Sequence, residues 1–350
     1  MQRGHALFAL REPHAWRRVL VLAAHPDDES LAAGGLLQRA VALGATVHVV
    51  FATDGENNPW PQRVLERRWR IGPRERARWG ARRRAEARAA LGTLGVPLAC
   101  ATFLHLPDQG LTPLLLQADG RATGLLADAV AAVRPTLLVA PSGSDRHPDH
   151  AALAVLLRLA LGRLGPRAPR ATELAYVVHG DTPTPRHVEL ALTPEEQSRK
   201  QAAIRCHASQ IALSRGRFLA CARPTEVFLD PARHADVRHR VRRVVRCGDG
   251  LLFVLAPGRG AEAAVPATLA VVAMGPGCHV VSRSVPVAPA TRVVRLSLPT
   301  RVVQVWARLE RPRLFFDRAG WRALSVSGSP PGDVVDERVP AIHAVPRAAR

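Results

Sequence analysis

The sequence feature that most constrains the fold is a series of short apolar runs that alternate with helix-like stretches through the first two-thirds of the chain. The first of them, RVLVLAA (18–24), is continuously apolar after Arg18, as expected of a strand covered on both faces. The runs lie at 18–24, 46–53, 101–106, 136–142 and 173–178. The helix-like stretches lie at 29–43, 74–94, 121–134, 149–163 and 194–208. This alternation predicts a parallel, doubly wound sheet.

The pattern of apolar and polar residues changes near residue 230. A basic stretch, DVRHRVRRVVR (236–246), is followed by short apolar runs separated by Pro, Gly and charged residues. Their spacing of roughly 8–12 residues is typical of a small antiparallel β domain. We therefore predict an α/β protein with a doubly wound, mostly parallel Rossmann-like sheet in residues 1–230. Residues 231–350 are predicted to form a C-terminal small antiparallel β domain, whose role no motif indicates.

The composition indicates a folded protein and argues against nucleic acid as its main partner. The chain has 350 residues, 47% of them hydrophobic, which is enough for a substantial core. Its formal net charge is +20, and its basic residues are arginines except for Lys200. Aromatic residues make up only 4%, so stacking surfaces for single strands are scarce. Nucleic acid is therefore an unfavoured partner, and an acidic substrate or an anionic membrane surface suits the charge better.

The cysteines and the amino-terminal residues predict a cytoplasmic protein. The five cysteines are scattered and none forms a C-x-x-C pair, which is typical of reduced thiols. The amino-terminal residues lack the consecutive charged region, apolar core and cleavage site of a secretory signal. No window approaches about 18 unbroken apolar residues, so we predict no transmembrane segment. The sequence leaves the oligomeric state open.

Two polar clusters follow two of the predicted strands. AHPDDE (24–29) comes after the first strand, and SDRHPDH (144–150) comes after the strand at 136–142. In open α/β sheets, ligands bind beyond the carboxyl ends of the strands, so the two clusters are expected to meet. Either cluster alone is compatible with helix capping and turn chemistry. Their joint occurrence favours a functional site.

The residue types in these clusters are those of a catalytic zinc site. Such a site has three protein ligands and one open position, and imidazole nitrogen and carboxylate oxygen suit it. His25 and Asp28 are three residues apart across a strand-to-helix turn, and His150 begins a helix. We predict these three as metal ligands. Zn²⁺ is the expected ion, although Fe²⁺ or Mn²⁺ can compete for such sites.

The remaining residues of the clusters are candidates for acid–base chemistry. Asp27 adjoins a predicted ligand and is our candidate general base. His147 is expected to stabilise an oxyanion or to protonate a leaving amine. Asp149 is expected to orient His147. Glu29 is interpreted as an acid of the first helical turn rather than as a catalyst.

The sequence resembles the PIG-L/LmbE-like family of zinc-dependent de-N-acetylases over about residues 18–230. AHPDDE and HPDH carry the resemblance, and four further stretches agree with it. They are TDGE (53–56), RRAEARAALGTLGV (83–96), LPDQGL (106–111) and KQAAIRCHASQ (200–210). In LPDQGL, Gln109 replaces the usual Gly of the family, which questions the geometry of that turn because Gly tolerates a positive φ.

The resemblance implies an activity and further site residues. Members of the family remove acyl groups from N-acetylglucosamine-type sugars carried on lipids, inositol, thiol precursors or antibiotics. By this resemblance His25, Asp28 and His150 hold the metal, Asp27 is the base and His147 is the acid or oxyanion-stabilising residue. Arg83 and Asp108 are implied to contact the sugar. The resemblance also suggests that Glu56 lines the site and that His207 is structural. The implied partner is a small-molecule or lipid-linked amino sugar, and an anionic one is compatible with the charge.

One segment is not accounted for by the site. Residues 57–84 form a long connection that contains Trp60, Trp69 and Trp79, and eleven Arg but only three Glu lie in 63–88. One hypothesis is a lid that grips an acidic group near the sugar. The alternative is a pair of helices packed by Trp and solvated by Arg.

Two other function classes remain open at this point. Two His and one carboxylate are also the ligand set of non-haem iron oxygenases. A basic binding module or pseudoenzyme without catalysis is the third interpretation. An intact candidate base beside intact candidate ligands favours the hydrolase over both.

Overall fold

The computed structural model describes residues 16–118, 120–180, 187–231, 239–248, 250–257, 266–297, 301–310 and 320–327. A seven-stranded sheet organises the first part of the chain. Its strands are β1 (Arg18–Ala23), β2 (Thr46–Thr53), β3 (Ala101–Leu106), β4 (Leu137–Pro141), β5 (Thr172–Tyr176), β6 (His187–Ala191) and β7 (Thr225–Leu229).

The strand order in this sheet is β3-β2-β1-β4-β5-β7-β6. The first five strands are parallel to one another, whereas β7 is antiparallel to both β5 and β6. The predicted α/β class with a mostly parallel sheet is confirmed. The antiparallel edge was not predicted, because β6 and β7 are short and alternate between buried and exposed residues instead of forming apolar runs.

Helices cover both faces of the sheet. They are α1 (Asp28–Ala42), α2 (Pro59–Glu66), α3 (Pro73–Thr93), α4 (Leu111–Gln117), α5 (Arg121–Val133), α6 (Pro148–Leu164), α7 (Pro194–Cys206), α8 (Ala208–Ile211) and α9 (Arg215–Leu219). Side chains alternate across a strand, so Leu20 and Leu22 of β1 share a core with α5 and α6. Val19 and Val21 point the other way and share a core with α1 and α3.

No helix among the described residues is both long enough and apolar enough to cross a membrane. The cytoplasmic location stays a prediction.

The segment 57–84 contains α2 and the start of α3, two helices with a short connection. Trp79 is fully buried, but Trp60 and Trp69 are exposed. Trp79 is therefore packed in the protein interior, as the helix-pair alternative predicts, whereas Trp60 and Trp69 are not. The hypothesis of a lid over the site stays a prediction.

The C-terminal part of the chain forms two further four-stranded sheets. Their strands are β8 (Val241–Cys247), β9 (Gly250–Leu255), β10 (Ala267–Met274), β11 (Val280–Val287), β12 (Val293–Ser297), β13 (Gln304–Glu310), β14 (Arg322–Leu324) and β15 (Val326–Ser327). The orders are β11-β10-β13-β14 and β12-β9-β8-β15, and every pairing is antiparallel except β8 with β15. This agrees with the predicted antiparallel β structure. Part of the basic stretch 236–246 is strand β8.

Strand β10 links the two parts of the protein. Leu269 and Val271 face the core between the two C-terminal sheets. Ala270 and Val272 face the opposite way and belong to the core that also holds α5 and α6. The β structure therefore packs against the helices of the first part through a shared apolar core. The division into domains at residue 230 stays a prediction.

A buried ion pair holds α1, α7 and β7 together. Helix α1 is kinked at Ala33, whose φ is −133°. Near the kink, the backbone amides of Gly35 and Leu36 donate to the Glu226 carboxylate at 2.7 and 2.9 Å. The Lys200 Nζ donates to the same carboxylate at 2.6 Å. Glu226 thus satisfies two amides and the buried ammonium group.

A second buried pair lies between α1 and the start of α8. The His207 Nε2 lies 2.9 Å from Oε1 of Glu29, and both side chains are fully buried. Burial opposes the positive charge, but the Glu29 carboxylate outweighs it and raises the pKa of His207 above 6.5. Glu29 therefore lies in the first helical turn, as predicted, where it also binds a distant histidine.

The Glu226 network predicts a large loss of stability in Glu226→Ala. The substitution leaves the Lys200 ammonium group buried without its carboxylate, so we expect the free energy of unfolding to fall by about 3–5 kcal/mol. Urea denaturation measures the change. Glu189→Ala, in the adjacent strand β6, removes an exposed carboxylate and should change stability by at most about 0.5 kcal/mol. Equal losses in the two variants would contradict the role of the network.

The His207–Glu29 pair predicts a pH-dependent contribution to stability. Because the pKa of His207 is raised in the folded state, the pair's contribution is fully present below about pH 6.5 and declines as the pH rises through the raised pKa. The stability difference between the native protein and His207→Gln should therefore be largest in acid and shrink in alkali. Urea denaturation of both proteins across the pH range measures it. A difference that grows with pH would contradict the charged pair.

Candidate active site

The carboxyl ends of five parallel strands deliver polar side chains to one edge of the sheet. His25 follows β1, Glu56 follows β2 and Asp108 follows β3. The loop after β4 carries Asp145, and His179 lies three residues beyond β5. Parallel strands end at the same edge, so five segments far apart in sequence meet there. The structure brings both predicted clusters together at this edge.

His25 and Asp28 meet across the turn from β1 to α1. The Asp28 Oδ2 accepts a hydrogen bond from the His25 backbone amide at 2.9 Å. The same oxygen lies 3.6 Å from Nδ1 of the His25 ring. Between them, Asp27 has a φ of 148°, a region that side-chain-bearing residues rarely occupy. This backbone conformation separates the directions of two consecutive carboxylates.

His150 completes the predicted ligand set from the first turn of α6. Its Nε2 lies 3.2 Å from the Asp28 Oδ2, and its Nδ1 lies 3.2 Å from the Asp145 Oδ2. The ring is fully buried. Although Asp28 is near, Nε2 makes no hydrogen bond within the described part of the chain. A buried ring nitrogen without a hydrogen bond has the position expected of a metal ligand.

Two of the three distances among the predicted donors are close to those of a zinc site. Ligand atoms about 2.0–2.1 Å from a tetrahedral zinc ion lie about 3.3–3.4 Å from one another. Asp28 Oδ2 lies 3.6 Å from His25 Nδ1 and 3.2 Å from His150 Nε2. Among the described residues, three groups have donor atoms that all lie within 4.8 Å of one another, and the set of His25, Asp28 and His150 is not one of them. The groups are His25, His147 and His150; Asp28, His150 and His179; and His25, Asp108 and Asp149.

The carboxylates around His25 and His150 favour positive charge between them. Burial opposes the protonation of His25, but the carboxylates of Asp108, Asp149 and Asp28 raise its pKa well above 6.5. Burial is likewise outweighed at His150, where Asp28 and Asp145 raise the pKa to about 10. A divalent cation would supply the positive charge that this ring of carboxylates favours.

Asp145 anchors the loop that carries the two histidines of the second cluster. Its Oδ2 accepts hydrogen bonds from the amides of Val178 and His179 at 2.8 and 3.1 Å. Its Oδ1 accepts from the His147 amide at 2.8 Å. Together with its contact to His150 Nδ1, these bonds fix the orientation of a candidate ligand. The sequence placed Asp145 in the cluster but indicated no role, because two of its partners, the amides of Val178 and His179, follow a different strand.

Asp27, the candidate base, is buried beside an arginine. Its Oδ2 lies 3.1 Å from Nη2 of Arg83, and its backbone amide donates to Glu29. Burial raises the pKa of Asp27 to about 6, although Arg83 opposes the shift. A carboxyl group with this pKa can both accept and release a proton near neutral pH.

His147 is the N-cap of α6. Its Nδ1 accepts a hydrogen bond from the Asp149 amide at 3.2 Å, which places the proton of the neutral ring on Nε2. Burial and the neighbouring histidines hold its pKa well below 6.5, so the ring is neutral. The ring centroid lies 4.6 Å from that of His25 and 5.0 Å from that of His150.

The carboxylate of Asp149 faces a different histidine from the one predicted. Its Oδ2 lies 3.4 Å from Nε2 of His25 and accepts from the Gln109 amide at 2.6 Å. Its Oδ1 accepts from the Leu111 amide at 3.1 Å. The contact of Asp149 with His147 is made by its backbone amide instead. The arrangement suits a carboxylate that orients His25 rather than His147.

The three predicted sugar-contacting residues also lie at this edge. Asp108 Oδ1 is 3.2 Å from His25 Nε2, and its Oδ2 accepts from the Asn57 amide at 2.8 Å. Glu56 Oε1 accepts from the Asp108 amide at 2.9 Å. Its Oε2 is buried without a hydrogen-bond partner among the described residues, and burial raises the pKa of Glu56.

Arg83 is almost fully buried, and its guanidinium group binds two backbone oxygens as well as Asp27. Nη1 donates to the Gly55 carbonyl at 2.9 Å and Nη2 donates to the Pro26 carbonyl at 2.7 Å. A Cβ atom at Gly55 would fall 1.8 Å from Nη1, so this approach requires glycine. These contacts suit a residue that positions Asp27.

Gln109 has a positive φ, although it stands where the family usually has Gly. Its φ is 61°, and its Nε2 donates to the Asn57 carbonyl at 2.8 Å. The turn is therefore formed without glycine, with a side chain tied to the segment before α2.

Sequence reasoning missed His179. Its ring centroid lies 5.1 Å from that of His150, and its Nδ1 accepts a hydrogen bond from Arg217 at 3.1 Å. Burial and the charge of His150 lower its pKa to about 4. The available signal was its place beyond the carboxyl end of a predicted strand.

Two solved structures resemble the chain at low sequence identity. The N,N'-diacetylchitobiose deacetylase of Pyrococcus horikoshii aligns with a TM-score of 0.47 at 21% identity, covering 63% of this chain and 87% of that chain. The A40926 pseudoaglycone deacetylase aligns with a TM-score of 0.48 at 22% identity, covering 60% and 95%.

Curated sequence relatives match about two-fifths of the chain. The 1D-myo-inositol 2-acetamido-2-deoxy-alpha-D-glucopyranoside deacetylase of Mycolicibacterium smegmatis is 36% identical over 149 residues, which are 39% of this chain and 50% of that protein. The protein of the same name from Rhodococcus jostii is 33% identical over 152 residues, 38% of this chain and 49% of that protein. The chain thus spans about half the length of the curated relatives it matches.

A family model matches the part of the chain that includes the metal-ligand candidates His25, Asp28 and His150. Residues 20–161 match the family model described as PIG-L: GlcNAc-PI de-N-acetylase. The chain therefore contains a PIG-L family domain, over residues 20–161.

Proposed function

We propose that the protein is a metal-dependent amidohydrolase that removes the acetyl group from an N-acetylglucosamine-type conjugate. The observation that carries the proposal is the buried donor set of His25, Asp28 and His150 with the carboxyl group of Asp27 beside it. The family match and the deacetylase names of the sequence relatives support the reaction and the amino-sugar class.

His25 Nδ1, Asp28 Oδ2 and His150 Nε2 would hold the metal ion. Zn²⁺ fits this donor set, and Fe²⁺ and Mn²⁺ are the alternatives. When bound, such an ion polarises an amide carbonyl and lowers the pKa of water at the site. The other ring nitrogens of the two histidines face Asp108, Asp149 and Asp145, which orients both rings.

Asp27 acts as the general base in this proposal. It accepts the proton of the attacking water, which adds to the amide carbon, and the carbon–nitrogen bond then breaks to give acetate and a free amine. Its raised pKa suits both the acceptance and the later release of that proton. Arg83 holds the carboxylate in place through Nη2.

His147 acts on the other side of the amide group. Because the Asp149 backbone amide donates to Nδ1, the proton of the neutral ring is on Nε2, which donates to the carbonyl oxygen as that oxygen gains negative charge. The leaving nitrogen takes the proton that Asp27 accepted from the attacking water, because loss of the Nε2–H from a neutral ring would leave an imidazolate anion. The lowered pKa of His147 keeps the ring in the neutral form that donates from Nε2.

Glu56 and Asp108 are the proposed contacts for the sugar. The buried Glu56 Oε2 can accept a hydrogen bond from a sugar hydroxyl. The contacts of Arg83 favour the positioning of Asp27 over direct binding of the sugar. A lipid-linked or anionic aglycone stays a prediction.

We assign catalysis to the predicted domain of residues 1–230. All the site residues named above precede residue 180, and the seven-stranded sheet ends with Leu229.

The first test is chelator-sensitive release of acetate from N-acetylglucosamine conjugates. Asp27→Asn should lower kcat by about 10²–10⁴-fold with metal content unchanged, because the general base is lost while the ligands remain. Asp128→Asn, on the exposed face of α5, is the matched control and should retain full activity. Acetate assays and elemental analysis on the same samples provide both readouts.

The alternatives give different results in the same test. A protein that takes up no metal after reconstitution is the binding module, and the donor assignment is then wrong. Oxygen consumption without acetate release would identify the iron oxygenase.

Asp145→Asn tests the orientation of His150 independently of activity. Loss of the carboxylate should weaken zinc binding by about 10–100-fold and reduce the rise in Tm that zinc produces. Competition with a chromogenic chelator and thermal melts measure the two effects. Asp54→Asn is the control at the same sheet edge, since Asp54 binds His105 and Arg84. Unchanged zinc affinity in Asp145→Asn would contradict the proposed role.

A further inference from the structure

Exposed apolar side chains are concentrated on and just after α2. Trp60, Val64, Leu65 and Trp69 are exposed by 46%, 55%, 40% and 74%. They make up half of the exposed large apolar residues among those that the structure describes. Soluble proteins seldom expose such a cluster without a partner for it.

Arginines without acidic partners surround this cluster. The two nearby acids are already paired, Glu66 with Arg78 and Glu75 with Arg68. Five further arginines have no ion pair with an acidic residue in the described ranges; they are Arg63, Arg67, Arg70, Arg74 and Arg76. The Trp-Arg surface, defined as these five arginines with Trp60, Val64, Leu65 and Trp69, is therefore both apolar and strongly positive.

The aromatic side chains of this surface are held in place. The Arg63 guanidinium lies 4.8 Å from the ring centroid of Trp60 and 5.1 Å from that of Trp69. Its Nε also donates to the Trp69 carbonyl at 3.0 Å. The two indoles project from one ordered patch, which lowers the entropic cost of binding.

We propose that the Trp-Arg surface docks on an anionic lipid bilayer. Indole rings favour the boundary between headgroups and acyl chains, and arginines are attracted to anionic headgroups. A soluble anionic protein would complement the arginines but does not require two adjacent, highly exposed indoles. The chemistry of the whole patch matches an anionic membrane best.

The surface lies next to the active site. The Asn57 amide, two residues before α2, donates to Asp108 Oδ2, and Asp108 Oδ1 contacts His25. Docking through α2 would therefore bring this edge of the sheet close to the bilayer. The proposal concerns membrane binding and does not depend on the proposed reaction.

Vesicle cosedimentation of the full-length chain tests the proposal. We expect binding to phosphatidylcholine vesicles that contain phosphatidylglycerol, weak binding to phosphatidylcholine alone, and loss of binding at high salt. Arg70→Gln/Arg74→Gln should weaken binding by about 25-fold, about fivefold per arginine. Trp60→Ser/Trp69→Ser should weaken it by about tenfold through lost interfacial burial. Thermal melts of each variant confirm folding.

Leu43→Ser/Arg134→Gln is the matched control, because it removes an exposed apolar residue and an exposed arginine beside the opposite edge of the sheet. It should bind vesicles as the native protein does. Equal binding by all three variants would overturn the proposal. Stronger binding to a single-stranded polynucleotide, lost in the Trp and Arg variants, would also overturn it and assign the surface to nucleic acid.

Discussion

Six carboxylates lie buried at one edge of the seven-stranded sheet, and the organisation of the site follows from the free energy that this burial costs. They are Asp27, Asp28, Glu29, Asp108, Asp145 and Asp149. A buried carboxylate persists as an anion only where cations or hydrogen-bond donors face it. Here imidazoles, one guanidinium group and backbone amides do so. The remaining negative charge is what makes the edge suitable for a divalent cation.

The backbone is adapted to present these charges separately. Asp27 occupies a conformation that costs about 1–3 kcal/mol for a residue with a side chain. It allows the neighbouring carboxylates of Asp27 and Asp28 to face Arg83 and His150, respectively. Arg83 in turn reaches its partners because Gly55 has no Cβ atom. The strained backbone of Asp27 and the missing Cβ atom of Gly55 thus both serve to pair the buried charges of the site.

The C-terminal β structure contacts the loop that carries the second cluster. Gly320, just before β14, approaches this loop so closely that a Cβ atom on it would lie 2.0 Å from the Gly143 carbonyl. Asp145 and His147 follow in the same loop. Because β10 also shares an apolar core with α6, the loop and the helix that bear the candidate site residues are both supported by the C-terminal sheets.

The sequence by itself determined the five parallel strands, because an apolar run marks each of them. It also determined which strand ends bear histidine and carboxylate, and so where a site would form. Tertiary structure decided what sequence spacing does not encode. The antiparallel strands β6 and β7, the bonds of Asp145 to the amides of Val178 and His179 and the contact of Asp149 with His25 all join segments far apart in the chain. Such contacts depend on the packing of the sheet, because local periodicity reports only which face of an element is buried.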